Sequence, residues 1–147
     1  MKSLFWEVER AASAGPLNFP KKNLFQCIIK FIMKTDCVFC RIIAGTAPAE
    51  IVYKDEQVIA FLNLNPIAPV HLLIVPIKHI ESVNTVEMED ELLIGHLFTV
   101  ARLLAAKNGI DQTGYRLIVN TGPHAGQSVF HLHLHLIGGR RITFLVE

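Results

Sequence analysis

Residues 130–137 read Phe130-His131-Leu132-His133-Leu134-His135-Leu136-Ile137. Strict polar/apolar alternation is the pattern of a half-buried β-strand, in which residues two apart share a face. The three imidazoles then point one way and Leu132, Leu134 and Leu136 the other. Imidazole changes charge near neutral pH, so it serves as base, acid, nucleophile or metal ligand. Strand geometry limits what the row does together. Residues four apart lie about 13 Å from each other, whereas zinc holds its nitrogens at about 2.0–2.1 Å. At most one neighbouring pair of the row can share a metal, so the three histidines divide their work. A solvent-facing ladder of histidines without chemistry is the plain alternative.

Working outward, the elements before the histidine run are legible from period and punctuation. Residues 37–43 fit a short helix closed by Gly45 and followed by Pro48. Ile51 to Tyr53 and Val58 to Leu62, separated by Asp55 and Glu56, predict a hairpin. A loop containing Pro66 and Pro69 leads to a third strand over residues 71–75. Residues 88–108 form the strongest helix: Leu93, Leu97, Val100 and Leu104 make one stripe, the first turn is acidic, and Gly109 comes after the last turn. Residues 115–119 give a fourth strand, and the histidine run is the fifth. The expected class is α+β: a five-stranded antiparallel sheet with one long and one short helix.

Between the last two strands lies Thr121-Gly122-Pro123-His124-Ala125-Gly126-Gln127-Ser128. Two glycines let such a backbone fold tightly and turn its N–H groups toward an anion. Joined directly to a histidine face, the loop suggests a phosphate site, although most loops of this composition are merely turns.

The 147 residues, 51% hydrophobic, suffice for one globular domain with a sizeable core. Lys and Arg number 14 against 13 Asp and Glu, without a basic cluster, which argues against a nucleic-acid partner. No apolar run reaches membrane-spanning length. Three cysteines, two of them in Cys37-Val38-Phe39-Cys40, suit a reducing, cytoplasmic setting and a metal or redox role better than a disulfide framework. Residues 1–34 differ in character from the remainder of the chain. Their short apolar part is interrupted by Lys30 and preceded by Glu7 and Glu9, which makes a poor targeting signal. They are expected to be a dispensable extension, with the domain spanning residues 35–147.

The alternating histidines, together with Pro76-Ile77-Lys78-His79-Ile80, Gly126-Gln127-Ser128-Val129-Phe130 and Gly138-Gly139-Arg140, resemble the histidine triad (HIT) family over residues 36–140. The ending resembles the Hint-like branch of nucleoside phosphoramidases. His135 occupies the third position, where the galactose-1-phosphate uridylyltransferase branch carries Gln, so the resemblance implies hydrolysis rather than transfer. It implies a homodimer that cleaves the P–N bond of purine nucleoside 5′-phosphoramidates, with His133 as the nucleophile and a nucleotidyl-histidine intermediate. A neutral imidazole attacks when its other nitrogen is held protonated by an acceptor. His135 and Ser128 would hold the phosphoryl oxygens or the leaving group, with His71 behind them; an ordinary strand-edge histidine is the other reading of His71.

The same resemblance implies a structural zinc ion on Cys37, Cys40, His79 and His131, with no cofactor needed for catalysis. Two small buried hydrophobes that happen to be cysteines are the alternative. It implies a nucleotide site with Phe39, Ile42, Phe61 and Leu64 around the base and Asn120, Gly126, Gln127 and Ser128 on the phosphate side, though core packing accounts equally well for any one of the apolar four. Two positions depart from the family. Asn63 stands where Asp usually accepts hydrogen bonds from the ribose, and Arg141 to Glu147 replaces a Trp-Pro-Pro-like ending. A dinucleoside polyphosphate hydrolase and a nucleotide-binding regulatory module with little turnover are the competing functions. His96 is expected to be partly buried on the long helix, and His124 exposed in its loop.

Overall fold

The strands order themselves by their hydrophobic period. In the computed structural model, which describes residues 36–143, helix α1 is Val38–Ile43 and is succeeded by strands β1 Ile51–Lys54, β2 Val58–Leu62 and β3 Val70–Pro76. Helix α2, Glu91–Lys107, crosses over to β4 Tyr115–Ile118 and β5 Leu134–Gly138. Every neighbouring pair is antiparallel, in the order β1-β2-β3-β5-β4. The expected α+β class, with five strands and one main helix, is what the described residues adopt. The expectations for residues 1–34 and for the last four residues of the tail lie outside the described residues.

Alternation sorts the sheet into two layers. Val58, Ala60, Leu72, Ile74, Leu134 and Leu136 face α2, where Leu97, Val100 and Leu104 meet them. Ile59, Phe61, Leu73 and Val75 face the opposite side, where Phe39, Ile42 and Ile43 of α1 cover them. This corrects the half-buried reading of the histidine run, because α1 closes the face that alternation alone leaves to solvent. His131 is fully buried and His133 is 4% exposed, so a solvent-facing ladder is excluded.

A second correction concerns where the last strand begins. It starts at Leu134, so only His135 lies on the ladder. The register opposite explains this: Ile74 pairs with Leu134, and the next residues of β3 end at Pro76. Proline has no N–H to donate, and the Pro76 carbonyl is engaged by the His131 ring. Leu132 N–H instead donates to the carbonyl of Ile80 and His131 N–H to that of Val129. The alternation nevertheless persists through this unpaired segment, since Leu132 packs on the α2 side.

Smaller differences have local causes. Residues 88–90 form a 3-10 turn ahead of α2, where Asp90 accepts from the Glu87 N–H and from Lys78 Nζ (2.7 Å). Strand β3 is one residue longer at each end than expected, and β4 stops at Ile118. Gly138 lets β4 and Ile110 approach: a Cβ there would lie 2.7 Å from Ile110 Cδ1. Leu134, 1% exposed, fills the layer between β3 and α2. Leu134→Ala should lower the unfolding free energy by about 2–5 kcal/mol in urea titrations; a loss under about 1 kcal/mol would mean that this layer is not the core.

Candidate functional site

Three imidazoles in sequence meet three different environments. His131 sits between the end of β3 and α1. Its Nε2 lies 2.8 Å from the carbonyl oxygen of Pro76, and a carbonyl only accepts, so Nε2 carries the proton. The lone pair of Nδ1 then faces Cys37 Sγ at 3.4 Å, Cys40 Sγ at 3.6 Å and His79 Nδ1 at 3.2 Å. Cys40 Sγ is 3.3 Å from His79 Nδ1. Burial lowers the pKa of His131 to about 4, against the raising effect of the Pro76 carbonyl.

These four residues can hold a metal ion: one donor atom from each lies within 4.8 Å of the others. In a tetrahedral zinc site, bonds of about 2.05 Å to nitrogen and about 2.3 Å to sulfur separate the ligand atoms by about 3.3–3.8 Å. The spacings found here fit that set. The Pro76 carbonyl fixes which nitrogen of His131 is available, the usual role of a partner behind a ligating histidine. No side-chain motif announces a backbone carbonyl, so Pro76 could not be found from sequence.

His133 is held by its neighbour's backbone. Its Nδ1 donates to the carbonyl of His131 at 2.7 Å, so Nε2 is left as a lone pair. Burial lowers its pKa against the raising effect of that same carbonyl, so the ring is neutral at physiological pH. Phe39 packs edge-on against it at 5.3 Å between ring centroids, and His135 lies 4.9 Å away. His71 and His135 are diagonal neighbours on β3 and β5, with His71 Nε2 3.0 Å from His135 Nδ1. Burial lowers the pKa of both, and the charges of His133 and His71 help bring His135 to about 4. His135 Nε2 is buried with no hydrogen-bond partner among the described residues.

The remaining candidates are spread more widely. Phe39, Ile42 and Phe61 are buried together, with Phe39 and Phe61 at 5.4 Å, whereas Leu64 is 90% exposed. Asn63 is half-buried, its Nδ2 3.1 Å from His71 Nε2 and its Oδ1 accepting from Asn65 N–H. Asn120 is half-buried and Gly126 exposed. Ser128 is exposed and lines a cleft with Cys37, Val38, His79 and Phe130.

The loop before the histidines is held by bonds of its own. It contains a 3-10 turn, Pro123–Ala125, flanked by Gly122 and Gly126 at φ 81° and 80°. The N–H groups of Gly122, Ala125, Gly126 and Gln127 are all engaged within the loop. Buried Gln127 braces it: Oε1 accepts from Gly122 N–H at 2.8 Å, and Nε2 donates to the carbonyls of Glu81 and Val129. A tight turn satisfies its own amides, which composition alone does not reveal. His124 is exposed, as expected. His96 is half-buried and pairs with Asp55 at 2.7 Å, tying α2 to the β1–β2 turn; the sequence distance between them hid that pair.

The fold and this cluster define the class. The chain belongs to the HIT domain family, whose pattern matches residues 44–142. Purine nucleoside phosphoramidase of Escherichia coli K12 is 46% identical over 108 residues, covering 74% of this chain and 91% of that protein. Among solved structures, a HIT family hydrolase from Legionella pneumophila superposes with a TM-score of 0.73 at 43% identity, covering 74% of this chain and 97% of that one. A histidine triad protein from Clostridium difficile gives 0.74 at 40% identity, covering 76% and 97%.

Neutral buried histidines make stability depend on pH. His71 and His135 are held below the usual value when folded, so below about pH 6.5 the unfolded chain binds more protons than the folded one. Stability should be full above that value and fall as pH drops toward about 4. His135→Gln should flatten the slope in urea midpoints measured across this range; an unchanged slope would show that His135 is not buried neutral.

Proposed function

We propose that this chain hydrolyses purine nucleoside 5′-phosphoramidates through a covalent intermediate on His133. The observation that carries the reading is the His133 Nδ1 donation to the His131 carbonyl, which leaves a neutral Nε2 lone pair beside His135. Such an imidazole is a nucleophile without prior deprotonation. Nε2 attacks the α-phosphorus and the P–N bond to the leaving amine breaks, the nitrogen taking a proton from solvent water as it departs. Water then attacks phosphorus and breaks the P–N bond to His133, releasing the nucleoside 5′-monophosphate. The 46% identity to a purine nucleoside phosphoramidase supports the substrate class.

Other residues take supporting roles in this reading. His135 and the Ser128 hydroxyl flank the phosphoryl group and its leaving group, and His71 orients His135. Phe39, Ile42, Phe61 and Leu64 hold the base; Asn63 faces the ribose, and Asn120, Gly126 and Gln127 shape the phosphate side. The ion is a structural zinc on Cys37, Cys40, His79 and His131; it fixes His131 and takes no part in the reaction. Exposed apolar residues on one long helix, Leu92, Phe98 and Leu103, support a homodimer. No helix among the described residues is long and apolar enough to cross a membrane, and a cytoplasmic location with residues 1–34 dispensable completes the reading. A regulatory module with little turnover is the second reading, favoured by the engagement of Asn63 with His71 and Asn65 in place of a free carboxylate.

Steady-state hydrolysis of adenosine 5′-phosphoramidate separates the two. The wild type should turn over and His133→Ala should lose at least about 10³-fold in kcat, with the fold intact by circular dichroism. Nucleotide binding without wild-type turnover would establish the regulatory reading instead. Metal analysis should find one zinc ion for each chain, and chelation should lower the melting temperature; metal-free protein of equal stability would contradict the structural site.

A further inference from the structure

The polar groups behind His135 leave few consistent ways to place their protons. Asn65 N–H donates to Asn63 Oδ1 at 2.9 Å, and a backbone N–H cannot accept, so the orientation of the Asn63 amide is fixed. Its NH2 group therefore points at His71 Nε2, 3.1 Å away. That nitrogen receives a hydrogen bond only if it is the unprotonated one, which puts the His71 proton on Nδ1. His135 Nδ1 lies 3.0 Å from the same His71 Nε2. Two lone pairs facing each other at that distance repel, so His135 Nδ1 must carry its own proton. The His135 Nε2 that remains is then a bare lone pair, the buried atom with no partner among the described residues.

One contact favours the opposite arrangement. Ile67 N–H lies 3.3 Å from His71 Nδ1 and would donate to it if that nitrogen were unprotonated. It is the longest of the three contacts to His71, all of which are part-buried, so distance and number decide between the arrangements. The contacts of Asn63 and His135 are the shorter ones, and they are two against one. Both rings are neutral at physiological pH because burial lowers their pKa values, so each has one proton to place.

We propose that Asn63 is a positioning residue that fixes His71 and His135 as Nδ1–H tautomers, so that His135 presents an acceptor to the ligand. The consequence, which rests on the phosphoramidase reading, is a choice of what stands beside His135. A phosphoryl oxygen only accepts and carries negative charge, so it is disfavoured there. A leaving group with an N–H fits, which places the amine of the substrate against His135 and leaves the oxygens to other donors. Aspartate at position 63 would reverse the arrangement. A carboxylate accepts from both Asn65 N–H and a protonated His71 Nε2, and His135 would then present Nε2–H.

Imidazole 15N–1H correlation spectra of the zinc-supplied full-length chain, without nucleotide, read these tautomers directly. Signals of His135 are assigned by their loss in His135→Gln. The wild type should show a pyridine-like Nε2 and a pyrrole-like Nδ1 for His135, and Asn63→Asp should exchange them. A wild-type His135 with a pyrrole-like Nε2 overturns the proposal, and this result needs no folded variant. Tautomers unchanged in a folded Asn63→Asp also overturn it.

The ligand consequence has its own readout. The ratio of kcat/KM for adenosine 5′-phosphoramidate over the 4-nitrophenyl ester of AMP, whose leaving oxygen has no hydrogen, should fall about tenfold in Asn63→Asp, the size of one hydrogen bond. Ribose contacts cancel in this ratio. An unchanged ratio overturns the placement of the amine. Predicted tautomers in a wild type that hydrolyses neither compound would support the assignment of Asn63 and count against the phosphoramidase reading alone.

Discussion

The imidazole of His131 is the constraint on which the site depends. It is completely buried, and a buried ring must satisfy both of its nitrogens. Nε2 does so against the Pro76 carbonyl, which also ends the ladder between β3 and the histidine run. Nδ1 does so toward Cys37, Cys40 and His79, which draw together α1, the segment after β3 and the run itself. The backbone carbonyl of the same residue then orients His133. A group remote from the proposed chemistry thus decides which nitrogen of the central histidine is free. The break in the strand has its origin in the same bond: a chain that continued to pair with β3 through Pro76 would leave that carbonyl unavailable to the ring.

Burial supplies the electrostatics. His131 and His133 pack against Phe39 of α1 with His135 beside them, and His133 disfavours the charged form of both its neighbours. The result is a row of neutral imidazoles at a pH where exposed histidines are partly charged, the state a nucleophile requires. The loop of residues 121–128 contributes rigidity. Gln127 closes it from inside, so the backbone entering the histidine run is held before any ligand arrives.

Much of the architecture was legible because it rests on period. The leucine face of the run, the stripe on α2 and the β1–β2 hairpin all appear in the sequence as alternation or as three-four spacing, and each packs as that spacing requires. The grouping of Cys37 and Cys40 with His79 and His131 was legible through the family resemblance, since nothing in the spacing of residues so far apart brings them together. What was hidden depended on backbone groups or on distant partners. The Pro76 carbonyl, the internally bonded amides of the glycine loop and the Asp55–His96 pair leave no periodic trace. The cover provided by α1 was also hidden, because a six-residue helix carries too little pattern to say which face of the sheet it will meet.

The central claim is that His133 forms a covalent bond to phosphorus during turnover. Rapid quenching of the wild type with adenosine 5′-phosphoramidate, then intact-mass analysis and peptide mapping at neutral pH, tests it most directly. The account predicts a transient adduct of one adenylyl group per chain, carried on the peptide containing His133 and absent from His133→Ala. Turnover with no adduct at any quench time, or an adduct on a different residue, would contradict it.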